Sequence, residues 1–214
     1  MPVKFVIFDV DGTILQSYSW QYIHQNLGTW NVAKKHSDQF FNDQITYEEW
    51  AKLDTALWKG QTIAKIKQII EQMPYTMGAK ETLAALKRKG IGTYLLSAGL
   101  SQVAQRVQEE TSTGGYSANK LEVEDGFLTG EVEVNVSFYG KDKHLPRILK
   151  EFNVSLNECA AVGDDVTLIP LFKKVGLAIA FNPVSEAVER NADVTIRERD
   201  LRRILPYLLK ADKS

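Results

Sequence analysis

Short apolar runs that each end abruptly in a polar cluster are the feature of this 214-residue chain that most restricts its fold. Val3 to Phe8 leads into Asp9-Val10-Asp11-Gly12-Thr13, Ile91 to Leu96 into Ser97-Ala98-Gly99, and Cys159 to Val162 into Gly163-Asp164-Asp165. A strand buried on both faces reads as a continuous hydrophobic run instead of an alternating one, which is the habit of parallel sheets. Two further runs, Leu177 to Phe181 and Ala192 to Ile196, follow at separations long enough for a helix between them. Helical patterns fill the gaps: Ala79 to Lys89 with Leu83 and Leu86 on one face, Lys143 to Phe152, Leu168 to Val175 and Leu201 to Leu209. The alternation predicts an α/β fold, a Rossmann-like parallel sheet with helices on both faces. Ligands of such sheets sit at the carboxyl ends of the strands, where the three polar clusters converge.

Two segments break this rhythm. Residues 16–75 hold no strand pattern and read as four helices, Tyr18 to Leu27, Val32 to Asn42, Tyr47 to Trp58 and Ile63 to Met73. The chain is therefore expected to divide into an α/β core of residues 1–15 and 76–214 and an inserted all-helical domain of residues 16–75. The insertion carries Trp20, Trp30, Trp50 and Trp58 and ten of the 21 aromatic residues. Aromatics at helical spacing pack a small bundle, and some of them can equally line a pocket. The second break, Lys120 to Val136, alternates around Asp125-Gly126 and reads as a small β-hairpin.

Composition excludes several classes of protein. Hydrophobic residues at 44% and charged residues at 25% are those of a soluble globular chain. Lys and Arg total 26 against 27 Asp and Glu, with no long basic block, so neither nucleic acid nor an anionic membrane is an expected partner. Cys159 stands alone, which rules out an intrachain disulfide or a Cys-rich zinc site and fits a reducing compartment, the cytoplasm by default. No stretch reaches the roughly 18 to 20 apolar residues that cross a bilayer, and the short N-terminal run, broken by Lys4, lacks the shape of a signal peptide.

Asp9 and Asp11 stand two residues apart where a strand runs into a loop, so extended geometry sends both carboxylates the same way. Adjacent carboxylates repel and call for a cation, a shared proton, or both, and hard oxygen ligands favour Mg²⁺. The alternative use of Asp11 is as a turn and helix-cap residue. Ser97 is by itself an ordinary turn residue, Lys141 and Lys143 are ordinary surface lysines, and Asp164 and Asp165 are equally suited to capping a helix.

Taken together and in this order, these segments resemble the haloacid dehalogenase superfamily, whose phosphatases begin with a strand followed by Asp-x-Asp-Gly-Thr. Leu95-Leu96-Ser97-Ala98-Gly99 is similar to the second motif, in which a hydroxyl and the following backbone N–H grip phosphoryl oxygens, and Lys141 resembles the lysine of the third. Gly163-Asp164-Asp165 resembles the fourth motif but departs from the Gly-Asp-Gly-x-Asn-Asp of phosphoserine phosphatases, having Thr167 and Leu168 in place of the Asn and the later Asp. Paired aspartates occur in this motif elsewhere in the superfamily, so Asp165 is expected to take over the outer role. The similarity covers nearly the whole chain outside the insertion, and an insertion directly after the first motif is similar to the helical caps of the phosphoserine phosphatase-like subgroup.

The resemblance implies a Mg²⁺-dependent phosphomonoester hydrolase acting on a small phosphorylated metabolite. Asp9 is the expected nucleophile, forming an aspartyl phosphate, and Asp11 the acid and later the base, with Ser97 and Lys141 completing the catalytic set. Thr13, Ala98 and Asp54 are the expected substrate-binding residues; Asp9, Asp11, Asp164 and Asp165 are the expected metal ligands. Phosphoserine phosphatases use an acidic residue and a cap arginine to hold the serine end of the substrate. At those places this chain has Tyr18 and Asp54, so phosphoserine is expected to be a poor substrate. Asp54 is otherwise a helix surface charge. A phosphotransferase or phosphomutase with the same covalent chemistry, and a catalytically silent binding module, are the competing readings.

Overall fold

The first apolar run forms β1 (Phe5–Phe8), the central strand of a seven-stranded sheet in the computed structural model, which describes residues 2–209. Four helices follow before the sheet resumes: α1 (Ser19–Leu27), α2 (Trp30–Phe41), α3 (Tyr47–Ala56) and α4 (Ile63–Glu71). The α/β part continues with α5 (Ala79–Arg88), β2 (Gly92–Leu100), α6 (Ser101–Thr111), β3 (Tyr116–Glu124) and β4 (Phe127–Glu133). It closes with α7 (Leu145–Phe152), β5 (Cys159–Gly163), α8 (Ile169–Phe172), β6 (Leu177–Phe181), α9 (Glu186–Arg190), β7 (Val194–Ile196) and α10 (Leu205–Leu208). The ends of the expected core, residues 1 and 210–214, lie outside the described residues.

Strand order is β4-β3-β2-β1-β5-β6-β7, parallel throughout except for the β3–β4 pair. The chain moves outward from β1 on one side and then returns to β5 on the other, which puts the topological switch beside β1. β1 is buried along its whole length, and alternate side chains feed two cores: Val6 and Phe8 one, Phe5 and Ile7 the other. That two-sided burial is why its sequence does not alternate. The first of these cores runs on without interruption into the inserted helices through Ile23, Trp58, Ile66 and Ile70.

Two features differ from the sequence reading. The hairpin, expected to start at Lys120 as a separate unit, begins at Tyr116, where β3 pairs in parallel with β2, so the hairpin is the edge of the main sheet. Helix α6 had no counterpart in the sequence reading. Its buried stripe is only Val103, Ala104 and Val107 in an otherwise polar segment, and burial against β2 and β3 makes up for the weak pattern. Among the described residues no helix is long and apolar enough to cross a membrane.

Candidate active site

The register across the sheet sets the site. Phe8 lies opposite Leu95 of β2 and Val162 of β5, so Asp9, just past β1, emerges beside Ser97 in the last part of β2 and Asp164 just past β5; the strand β2 runs on through Ser97-Ala98-Gly99, which the sequence reading places after it. Asp9 is held there by its backbone N–H, which donates to the Val162 carbonyl at 2.9 Å. The chain then turns back sharply: the N–H of Leu15 donates to the Val10 carbonyl at 2.9 Å, and Gly12 takes a left-handed φ of 74°. A Cβ at Gly12 would run into the Asp164 carboxylate, so both the turn and the close approach require glycine.

Each carboxylate has defined partners. Asp9 Oδ1 accepts from the Val10 N–H at 2.8 Å, and Oδ2 accepts from Lys141 Nζ at 2.5 Å. Asp11 Oδ2 accepts from the Ser19 N–H at 3.0 Å and the Ser19 hydroxyl at 2.6 Å, while its Oδ1 is buried without a hydrogen-bond partner among the described residues. Asp164 accepts from the Thr13 hydroxyl at 3.0 Å and from the Tyr18 hydroxyl at 2.7 Å. Asp165 Oδ1 accepts from the N–H and hydroxyl of Thr167 and so caps the turn that leads into α8. The Ser97 hydroxyl accepts from the Gly99 N–H at 2.9 Å.

Asp9, Asp11, Ser97, Lys141 and Asp165 open onto a cavity of about 380 Å³. Of the residues expected from sequence, Asp9, Asp11, Ser97, Ala98, Lys141, Asp165 and Asp54 line it. Asp164 is buried and tied to Thr13 and Tyr18. Thr13 departs from expectation: it is wholly buried, its hydroxyl is given to Asp164, and it is absent from the cavity wall, so it supports an acid instead of facing a substrate. Lys141 is separated from its competitor, being 1% exposed while Lys143 is a surface residue. Asp54 is neither a surface charge nor unpaired. It is 2% exposed and lies 2.7 Å from His36 Nδ1 and 3.2 Å from His24 Nε2.

Of the four tryptophans, Trp58 is core, and Trp20, Trp30 and Trp50 share the cavity wall with Phe41, Tyr47 and Phe138. The Ala98 carbonyl accepts from Tyr47 Oη at 2.5 Å, Asn119 Nδ2 at 2.8 Å and Trp20 Nε1 at 3.3 Å, which ties the inserted helices to the end of β2. Sequence reasoning missed Ser19, Asn119 and Phe138. Their residue types are ordinary, and only the fold brings them to the site.

Electrostatics are dominated by burial. It drives the Asp9 carboxyl up to about 7 against the pull of the Lys141 ammonium, and the Asp11 carboxyl up to about 6 against the two hydrogen bonds from Ser19. Asp164 is pushed up to about 8, by burial first and then by the charges of Asp9 and Asp165. Among the described residues no three His, Cys, Asp or Glu side chains form a ready metal cage. The donor chemistry nonetheless fits a small hard dication: all the acids offer carboxylate oxygens, and Asp9, Asp11, Asp164 and Asp165 stand against the single ammonium of Lys141. A cation offsets the burial, and after it the carboxylate repulsion, that raise these values.

The fold and this strand-end carboxylate site define a class, and comparison with known proteins agrees: residues 3–176 match the sequence model of the haloacid dehalogenase-like hydrolases, and the chain belongs to that family. Within it the chain is a phosphatase of the phosphoserine phosphatase-like group. It is similar to the phosphoserine phosphatase of Methanocaldococcus jannaschii, with 32% identity over 208 residues covering 96% of this chain and 97% of that protein. The phosphoserine phosphatase of Idiomarina loihiensis is 27% identical over 208 residues, 97% of this chain and 94% of that protein. Among solved structures, a phospho-aspartyl intermediate analogue of phosphoserine phosphatase superposes with a TM-score of 0.85 at 31% identity, covering 97% of this chain and all (100%) of the other. A substrate-bound phosphoserine phosphatase complex gives 0.86 at 31% identity, covering 97% and 99%.

Proposed function

We propose that this phosphatase hydrolyses the phosphomonoester of a small metabolite with the help of Mg²⁺, through an aspartyl phosphate on Asp9. The observation that carries the reading is the pairing of a buried Asp9 with a buried Lys141 on the wall of the cavity, beside an Asp11 with one uncommitted oxygen. The Asp9 carboxylate attacks phosphorus and the bond from phosphorus to the ester oxygen breaks, while Asp11 gives its proton to the departing alkoxide. Water then attacks the phosphorus of the acyl phosphate, Asp11 takes the proton back, and phosphate leaves with the Asp9 carboxylate restored. One residue serves as acid and then as base, a task suited to a carboxyl poised near 6.

Lys141 and the strand-end backbone around Ser97 and Ala98 supply the positive charge and donors that the phosphoryl oxygens need. Asp9, Asp11, Asp164 and Asp165 are the residues to hold the magnesium ion, which when bound offsets phosphoryl charge as a Lewis acid. Thr13 and Tyr18 keep Asp164 oriented. Residues 16–75 act as the cap that covers the site and selects the substrate.

The relatives named phosphoserine phosphatase argue for phosphoserine. The wall of this cavity argues against it: among the described residues it contains no arginine, and its one lysine is paired with Asp9, so a substrate carboxylate meets no free Lys or Arg among them. We therefore propose that phosphoserine is a poor substrate. Phosphate release from p-nitrophenyl phosphate, dependent on Mg²⁺ and abolished by EDTA, tests the hydrolase reading. Comparison of kcat/KM for phosphoserine with sugar, polyol and amino-alcohol phosphates tests the substrate, and a win for phosphoserine overturns that part.

A further inference from the structure

We propose that the substrate's organic part carries an ammonium group without a carboxylate, and that Asp54 and the aromatic side chains around it hold that cation. This rests on the hydrolase reading above and adds the chemical class of its substrate. Three observations carry it.

The first is the chemistry of the wall contributed by the inserted helices. Trp20, Tyr47, Trp50 and Asp54 all line the main cavity and also bound a small hollow of about 10 Å³ with Ala51, so three aromatic rings and one carboxylate face a common space. The rings do not lie parallel: Tyr47 and Trp50 meet at 89° with centroids 5.9 Å apart, and Phe138 stands 6.1 Å from Tyr47 at 38°. Aromatic rings set at steep angles around a space, with an acid among them, are how proteins hold alkylammonium groups, because the negative ring faces attract a cation that has little hydration to lose.

The second is the state of Asp54. The Trp58 indole N–H can only donate, and it donates to His24 Nδ1 at 3.0 Å. His24 Nε2 in turn stands 3.2 Å from Asp54 Oδ2, within ion-pairing distance though outside hydrogen-bond geometry. His36 Nδ1, 2.7 Å from Oδ1, fixes the other oxygen. Two histidines, one of them held by Trp58, thus flank a buried acid that the proposed hydrolysis does not use.

The third is what the cavity lacks. Among the described residues that line it, the only Lys or Arg is Lys141, already engaged with Asp9. A neutral substrate leaves Asp54 with only its two histidine neighbours in an aromatic wall, and a substrate carboxylate sets a second anion beside it. An ammonium group answers both.

The test compares phosphocholine with its uncharged isostere 3,3-dimethylbutyl phosphate, with p-nitrophenyl phosphate as the control for hydrolysis itself, all with Mg²⁺. We expect kcat/KM for phosphocholine to exceed that of the isostere by roughly tenfold or more, and Asp54→Asn to bring the ratio near one. The ratio is internal to each enzyme sample, so partial loss of folded protein does not alter it. If Asp54→Asn fails to fold, Trp50→Leu serves instead and should lower the same ratio. Hydrolysis of p-nitrophenyl phosphate with a phosphocholine ratio of one or below overturns the inference and leaves the hydrolase reading standing, as does a ratio that survives in the variants. Failure to hydrolyse any of the three esters overturns both.

Discussion

Asp9 is held by three contacts that each constrain it: the β5 carbonyl that fixes its backbone, the Val10 N–H on one oxygen and the Lys141 ammonium on the other. Asp9→Asn keeps the shape and removes the nucleophile, so steady-state phosphate release should fall by about 10³-fold or more. Ser19 has a subtler role. Its hydroxyl favours the ionised form of Asp11, so Ser19→Ala should raise the Asp11 pKa, by about half a unit to a unit for one hydrogen bond. Because Asp11 must be protonated to release the alkoxide, the alkaline limb of the kcat/KM profile should move to higher pH; a limb that stays in place contradicts the assignment. Lys141 was reached only through its resemblance to the third motif, whereas the pairing of Asp9 with Asp11 was legible in the sequence from their spacing after the first apolar run. Ser19 and Tyr18 were not, since their roles depend on the turn at Gly12 that swings the next segment back over the loop. Thr13 was misread for a related reason: the motif gives its position, and only the packing shows its hydroxyl turned to Asp164.

At the scale of elements, α3 carries both Tyr47 and Asp54, so its first turn matters to the site it serves. That turn is closed by a capping box in which Thr46 Oγ1 accepts from the Glu49 N–H at 3.1 Å and Glu49 accepts from the Thr46 N–H at 2.7 Å. Thr46→Ala should cost about 1 kcal/mol and lower the melting temperature by roughly 2–4 °C, readable by calorimetry. No change would mean the cap is redundant. The strands of the parallel sheet were legible because burial on both faces leaves an uninterrupted apolar run, and Leu177 to Phe181 forms over the range expected. The three helices expected in the last third also formed, but the α-helical stretch of each is short and has a proline, Pro146, Pro170 or Pro206, in its first turn, where the missing N–H costs nothing. The β3 extension and α6 were hidden because long-range pairing with β2, not local pattern, produces them.

The molecule as a whole concentrates acids at the middle of its sheet, which couples stability to pH and to cations. Asp9 and Asp164 have folded-state values raised above the ordinary carboxylate value, so the protonated form is the one that folding favours. Their contribution is fullest below about pH 4 and is lost as pH rises toward 7 to 8. In EDTA-treated protein, Asp164→Asn should therefore raise the melting temperature relative to the parent at pH 8 and do so less at pH 5, and Mg²⁺ should stabilise the parent more than the variant. An equal gap at both pH values contradicts the buried-charge account. The α/β architecture could be read from sequence because it depends on local runs. The continuity of one core across sheet and insertion could not, because it rests on side chains such as Trp58 and Phe8 that only the folded chain brings into one cluster. The central claim is that Asp9 becomes esterified to phosphorus. Crystals grown with Mg²⁺ and beryllium fluoride test it directly: the account predicts a beryllofluoride group bonded to the Asp9 carboxylate and facing Lys141, and the anion bound elsewhere, with Asp9 bare, would contradict it.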